Sequence, residues 1–180
     1  LYLSTISPVP LAQINAAAAA APGSTWYVTG EPNVNWVDPS SSVAYHDTYA
    51  AIKAADPTAK ITSPSILNFD FTCIGCGGYM SGHTWLDTYI SSYKAIYNTN
   101  PPVDYWAIAV YPIIWDAGQL PTVRSDIVID QMTAYRAYLD AMPSEVGKPI
   151  VMTEFGLHWG FDEITFDGST CSGAYPQGTY

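Results

Sequence analysis

Short apolar runs alternate with helical stripes along most of this chain, and that alternation restricts its fold more than any other feature. Thr25 to Gly30, Lys60 to Ile66, Asp104 to Tyr111 and Pro149 to Glu154 are compact runs of strand length, rich in β-branched and aromatic residues. Asp104 to Tyr111 is apolar on both faces, as a parallel core strand should be. Between the runs lie one-sided stripes: Tyr45, Tyr49 and Ile52; Leu86, Ile90, Tyr93 and Tyr97; Val128, Met132, Tyr135 and Leu139. Ser41 or Ser42 can cap the first of these helices, and Asp56-Pro57 ends it because proline forbids continuation. Pro143 and Gly147 end the last. Upstream, Leu1 to Ile6 reads as a strand and about Pro10 to Ala21 as a helix.

This alternation implies parallel strands with helical crossovers, an α/β fold. A doubly wound sheet and a piece of a βα barrel share the pattern. No Gly-x-Gly-x-x-Gly follows a strand, which disfavours a dinucleotide site. A complete eight-unit barrel needs ~200–250 residues or more, and this chain has 180. Pro149 to Glu154 is the last clear strand, and Gly173 to Tyr180 supplies neither another strand nor a closing helix. The expectation is one partial domain over residues 1–180, a fragment whose true start lies upstream because Leu1 stands where Met would.

Charge narrows the partners. With 16 acidic against 6 basic residues, the net charge of −10 argues against nucleic acid, whose phosphates need Lys and Arg. No apolar stretch reaches the ~18–20 residues of a membrane span, and the alanines from Ala16 to Ala21 are too short for an anchor. The 14 Tyr and 6 Trp supply flat amphipathic rings, which suit sugar stacking as well as core packing. A monomer is the expected state.

Two of the strand-length runs close on glutamates: Glu31 in Thr29-Gly30-Glu31-Pro32-Asn33, and Glu154 in Thr153-Glu154-Phe155-Gly156. Carboxylates are seldom fully buried unless paired. Two of them at the carboxyl ends of core strands mark a site in βα architectures. A carboxylate pair is also the minimal equipment for cleaving a glycosidic bond, with no metal or organic cofactor.

On these residues the chain resembles the glycoside hydrolases of the large clan with (β/α)8 barrels and two catalytic glutamates. In that clan the acid/base follows the fourth strand in an Asn-Glu-Pro motif, and the nucleophile ends the seventh. Gly30-Glu31-Pro32-Asn33 is similar to the first, and Thr153-Glu154-Phe155-Gly156 to the second. Lys60 to Ile66 and Asp104 to Tyr111 then stand for the fifth and sixth strands, and the chain for about strands three to seven. Tyr49 to Thr58 also resembles bacterial members of uncharacterised specificity. The resemblance implies a retaining hydrolase of β-linked poly- or oligosaccharide, with Glu31 as acid/base, Glu154 as nucleophile and Tyr111 orienting the nucleophile. Two departures stand out. Gly30 replaces the clan's Asn, which bonds the sugar 2-hydroxyl, and Ala109 replaces a frequent His. Both favour a rival reading, a non-catalytic carbohydrate-binding relative.

Trp36, Trp115 and Trp159 each sit in a loop after an expected strand and are candidate sugar platforms, whereas Trp85 and Trp106 are read as core. His158 is a candidate lining residue, and Asn33, like Asn35, either holds its loop or contacts sugar. Cys73 and Cys76 are read first as a disulfide bracing the long loop from Leu67 to His83. Zinc with His83 and Cys171 is a second reading, without the paired spacing of structural sites, and a thioredoxin-type redox motif a third, with the pair lying ahead of the helix start and not on it. Low lysine and abundant Ser, Thr and Tyr lean towards export.

Overall fold

The computed structural model describes residues 2–3, 10–34, 38, 42–70, 79–114, 122–156, 165–166 and 171–172. The chain is mixed α/β, with small parallel sheets. Its elements run β1 (Tyr2–Leu3), α1 (Leu11–Ala20), β2 (Thr25–Val28), α2 (Ser42–Ala55), β3 (Lys60–Ile61), β4 (Ile66–Leu67) and α3 (Gly82–Tyr97). Then follow β5 (Trp106–Val110), β6 (Ile113–Ile114), β7 (Thr122–Val123), α4 (Ser125–Asp140), β8 (Ile150–Phe155), β9 (Thr165–Phe166) and β10 (Cys171–Ser172).

Two parallel ladders, β1-β2-β3 and β4-β5-β8, are joined by isolated parallel bridges between Gly30 and Ser65 and between Thr62 and Tyr105. Residues 60–68 thus form one interrupted strand lying between β2 and β5. The described parallel strands follow one another in chain order with no reversal, whereas a doubly wound sheet reverses at its switch point.

The interruption has a local cause, since Pro64 has no amide to give a ladder. Side-chain hydroxyls take over there: Val28 N donates to Thr62 Oγ1 at 3.2 Å, and Ala107 N donates to Ser63 Oγ at 2.9 Å. Main-chain pairing resumes at once, with Ser65 N on Thr29 O at 3.0 Å and Asn68 N on Ala109 O at 2.8 Å. The continuous strand expected from Lys60 to Ile66 is therefore broken in its middle.

Helices cover one face of the sheet. Trp26 pairs with Ile61, and Ile66 with Ile108, and all four side chains are buried. They pack with Ile14 of α1, Ile52 of α2, Trp85 and Tyr89 of α3, and Leu139 of α4. Trp85 and Trp106 are core residues, as expected. Ser81 caps α3, its Oγ accepting from Thr84 N at 3.1 Å, so this helix starts a turn earlier than its apolar stripe announces. Two antiparallel pairs, β6-β7 and β9-β10, were not expected, and the second lies beyond the run read as the last clear strand. Two-residue strands are too short to carry a periodic signal. Among the described residues, no helix is long and apolar enough to cross a membrane.

At the amino-terminal end of β5 a buried carboxylate ties the layers together. Glu145 is 1% exposed and accepts from Trp106 Nε1 at 3.0 Å, Asn100 Nδ2 at 2.9 Å, Ser144 Oγ at 2.6 Å and Lys148 Nζ at 2.9 Å. Burial alone would raise its pKa, but these donors outweigh burial and hold it below the ordinary value. A carboxyl group with a lowered folded pKa stabilises the fold above the ordinary carboxylate range, and that contribution is lost as pH falls through the lowered value. Glu145→Ala is expected to cost ~3–5 kcal/mol at pH 7. Urea denaturation at pH 7 and at pH 3 checks this, because the difference from wild type must shrink at the lower pH.

Candidate active site

The face of the sheet opposite the helices carries the candidate chemistry. Pairing places Leu67 beside Ala109 and Ala109 beside Glu154, so the three share that face. Glu154 arrives there through a β-bulge. Ile108 pairs with Met152, but Ala109 pairs with Glu154, leaving Thr153 as the extra residue. In regular pairing Thr153 would stand beside Ala109, and Glu154 would point to the helix side. The bulge is held by its own side chain: Thr153 Oγ1 donates to Ile108 O at 3.2 Å and lies 2.6 Å from Ser65 Oγ. Since the threonine proton is used, Ser65 is the donor in that short bond.

Two phenols grip the Glu154 carboxylate. Tyr111 Oη donates to Oε2 at 3.1 Å, and Tyr27 Oη donates to Oε1 at 3.4 Å. The resemblance pointed to Tyr111 for this role, whereas nothing singled out Tyr27, which lies within the strand-length run before Glu31. β2 and β8 stand three strand steps apart, ~14 Å across a flat sheet. A phenol and a glutamate can nearly span that, but the short side chains of Ser65 and Thr153, two strand steps apart, come within 2.6 Å, so the sheet curls towards this face. Burial, the bond to Glu154 and the charges of Glu154 and Glu31 push the Tyr111 hydroxyl up to about 12, so it stays a donor.

Glu31 sits on a strained corner. It has φ +48°, and Thr29 has φ +56°, both in the left-handed region that a β-branched residue rarely adopts. Hydrogen bonds hold the corner: Glu31 N donates to Ser65 O at 2.7 Å, and Val34 N donates to Glu31 O at 3.0 Å. The side chain is half-buried. Burial, and then the negative charge of Glu154, raise its pKa above the ordinary glutamate value. The two carboxyl groups therefore feel one another across the sheet, and Glu31 keeps its proton to higher pH than a solvated glutamate.

Asn33 is 1% exposed, and its amide is spent on main chain. Oδ1 accepts from Leu67 N at 2.8 Å, while Nδ2 donates to Leu67 O at 3.0 Å and Met80 O at 2.9 Å. It clamps the Glu31 loop to the end of β4, the loop-holding use of the two open to it. Asn68, with φ +50°, does similar work for Tyr111: its Oδ1 accepts from Tyr111 N at 3.1 Å, and its Nδ2 donates to Tyr111 O at 3.4 Å. Sequence reasoning passed over Asn68; an Asn at the end of a strand was the only signal. Gly156 leaves room for the tyrosine, since a Cβ there would lie 2.4 Å from Tyr111 Cε1. Trp36, Trp115, His158, Trp159, Asn35, Cys73 and Cys76 lie outside the described residues, as does the side chain of Cys171. His83 bonds Asp70, with Nδ1 2.8 Å from Oδ1, and stacks on Phe69. Among the described residues no group of three or more His, Cys, Asp or Glu could hold a metal ion.

No protein-family model and no curated protein matches the chain. Among solved structures, it is similar to a GH128 (subgroup II) endo-beta-1,3-glucanase from Pseudomonas viridiflava, with a TM-score of 0.56 and 22% identity over 93% of this chain and 54% of that one. A GH128 (subgroup IV) endo-beta-1,3-glucanase from Lentinula edodes aligns at a TM-score of 0.48 and 20% identity, over 87% of this chain and 51% of that one, too loosely to bear on the fold. The chain spans about half the length of the first structure, and the likeness is one of fold.

Two outcomes check the geometry. Glu154→Gln removes the charge but not the burial, so the Glu31 pKa is expected to fall while staying above the ordinary value; carboxyl-carbon NMR titration reads this directly. Gly156→Ala is expected to destabilise the fold by ~1–3 kcal/mol through the collision with Tyr111. Its cost should be smaller in a Tyr111→Ala background, as measured by a double-mutant cycle of urea midpoints.

Proposed function

We propose that the chain is the greater part of a (β/α)8 glycoside hydrolase domain, spanning about strands three to seven, and that it cleaves β-linked glucan with retention. The observation that carries the reading is the coupled carboxyl pair: Glu31, with its pKa raised by burial and by Glu154, and Glu154, braced by two phenols on the same face. The chain-ordered parallel strands, and the reach of Ser65 to Thr153 and of Tyr27 to Glu154 across the sheet, support a barrel wall. The fold likeness to an endo-beta-1,3-glucanase makes β-1,3-glucan the first substrate to try. The protein acts as a monomer outside the cytoplasm.

In this mechanism a Glu154 oxygen attacks the anomeric carbon while Glu31 gives its proton to the departing glycosidic oxygen. The products are a covalent glycosyl-enzyme and the released sugar. Water then attacks the same carbon, Glu31 takes a water proton, and Glu154 leaves as a carboxylate. Each glutamate ends in its starting state. The raised pKa suits Glu31 to its first task, and the loss of the Glu154 charge in the intermediate lowers it for the second.

The absence of a polar side chain at Gly30 and Ala109 favours a second reading, a barrel that binds β-glucan without cleaving it. Hydrolysis of laminarin, with product anomers followed by proton NMR, separates the two. Glu31→Gln is expected to lower kcat by about 10²- to 10⁴-fold, and Glu154→Gln to abolish turnover, with the β-anomer as first product of the wild type. Equal binding and equal inertness of wild type and Glu154→Gln would establish the binding protein instead.

A further inference from the structure

We infer that Tyr27 is a substrate-contacting residue of this site, which hydrogen-bonds the hydroxyl on the sugar carbon next to the anomeric centre. The inference rests on the hydrolase reading above and adds to it a residue that no sequence motif marks. Three observations carry it. First, Tyr27 Oη is 3.4 Å from Glu154 Oε1, whereas Oε2 is held more closely by Tyr111 at 3.1 Å. Oε1 is therefore the less committed oxygen, the one available to attack.

Second, an oxygen bonded to the anomeric carbon is only one carbon away from the bearer of the 2-hydroxyl. A donor beside Oε1 is then within hydrogen-bond reach of that hydroxyl too. Third, three nearby positions bring no side-chain donor of their own to such a hydroxyl. Gly30 has no side chain, and Ala109, paired with Glu154, ends in a methyl group. Asn33, the nearest amide in the sequence, is spent on Leu67 and Met80.

The exchange needs no proton bookkeeping beyond the main reaction. As the bond from Oε1 to the anomeric carbon forms and the glycosidic bond breaks, Glu154 loses its charge and becomes a weaker acceptor. The Tyr27 hydroxyl keeps its proton and turns its hydrogen bond from Oε1 to the sugar hydroxyl. It turns back when water releases the sugar. As Oε1 weakens as an acceptor the sugar hydroxyl becomes the phenol's better partner, so that bond strengthens on the way to the transition state and favours it over the bound substrate.

The test compares Tyr27→Phe with wild type on an aryl β-1,3-linked diglucoside and on the same compound lacking the 2-hydroxyl of the ring cleaved. On the normal compound Tyr27→Phe is expected to lower kcat by about tenfold or more with KM little changed, the worth of one hydrogen bond made in the transition state. On the deoxy compound, which the wild type cleaves more slowly, the substitution is expected to cost nothing further. Equal losses on both compounds would show that Tyr27 only holds Glu154, and no loss on either would show that it is idle; both outcomes overturn the inference while leaving the hydrolase reading intact. A folded wild type that cleaves neither compound overturns both.

Discussion

The curl of the parallel sheet is the constraint on which the rest of the site depends. Residues 60–68 are hydrogen-bonded to β2 on one side and β5 on the other, and β5 carries β8 in turn. Bent towards its helix-free face, this ladder brings Tyr27 to the Glu154 carboxylate although three strand steps intervene. Flatten the sheet and the phenol, the two carboxyl groups and the Ser65-Thr153 bond part company. The helices contribute from the other side, where Trp26, Ile61, Ile66 and Ile108 are sealed under α1 to α4 and keep the strands in register.

The two ends of the strands divide the labour. Glu145 and Asp104, at the amino-terminal end, are saturated with donors; for both, burial alone would raise the pKa, and the donors hold it below the ordinary value. Asp104 accepts from Lys53 at 3.0 Å and from Ile61 N at 2.9 Å, fixing α2 to the sheet. Glu31, at the other end, is half-buried and feels a like charge, and its pKa is raised. Acids satisfied by donors stabilise the fold, whereas an acid left in tension with a neighbour is equipped to move a proton. The left-handed corners at Thr29 and Glu31 belong to the same end, where strain is held by the bonds to Ser65.

Much of this was legible in the chain. The one-sided stripes at Tyr45-Ile52 and Leu86-Tyr97 fixed α2 and α3, because helix burial repeats at a period the sequence displays. The glutamates stood out because each closes an apolar run and carboxylates are seldom buried unless paired, and Tyr111 through the resemblance of its strand to the sixth of the two-glutamate clan. Tyr27 and Asn68 did not stand out, since their roles arise from partners 127 and 43 residues away. The bulge at Thr153 was equally hidden, because an extra residue in a strand leaves the pattern of apolar and polar residues nearly unchanged. Pro64 carried a signal of the break that the reading of Lys60 to Ile66 as one strand passed over, and only the paired neighbours reveal that Thr62 and Ser63 hydroxyls bridge it.

By itself, the sequence determined the alternation of strand and helix, the buried faces of α2 and α3, and two acids at strand ends. These are properties of neighbouring residues, set by side-chain polarity and backbone sterics within a few positions. Tertiary structure alone decided that the strands lie in chain order, that a bulge turns Glu154 to the helix-free face, and that the acids share an electrostatic field. It also decided that Asn33 serves the loop and Tyr27 the carboxylate. Those outcomes depend on curvature and register, which are set by long-range hydrogen bonding and packing that no local pattern encodes.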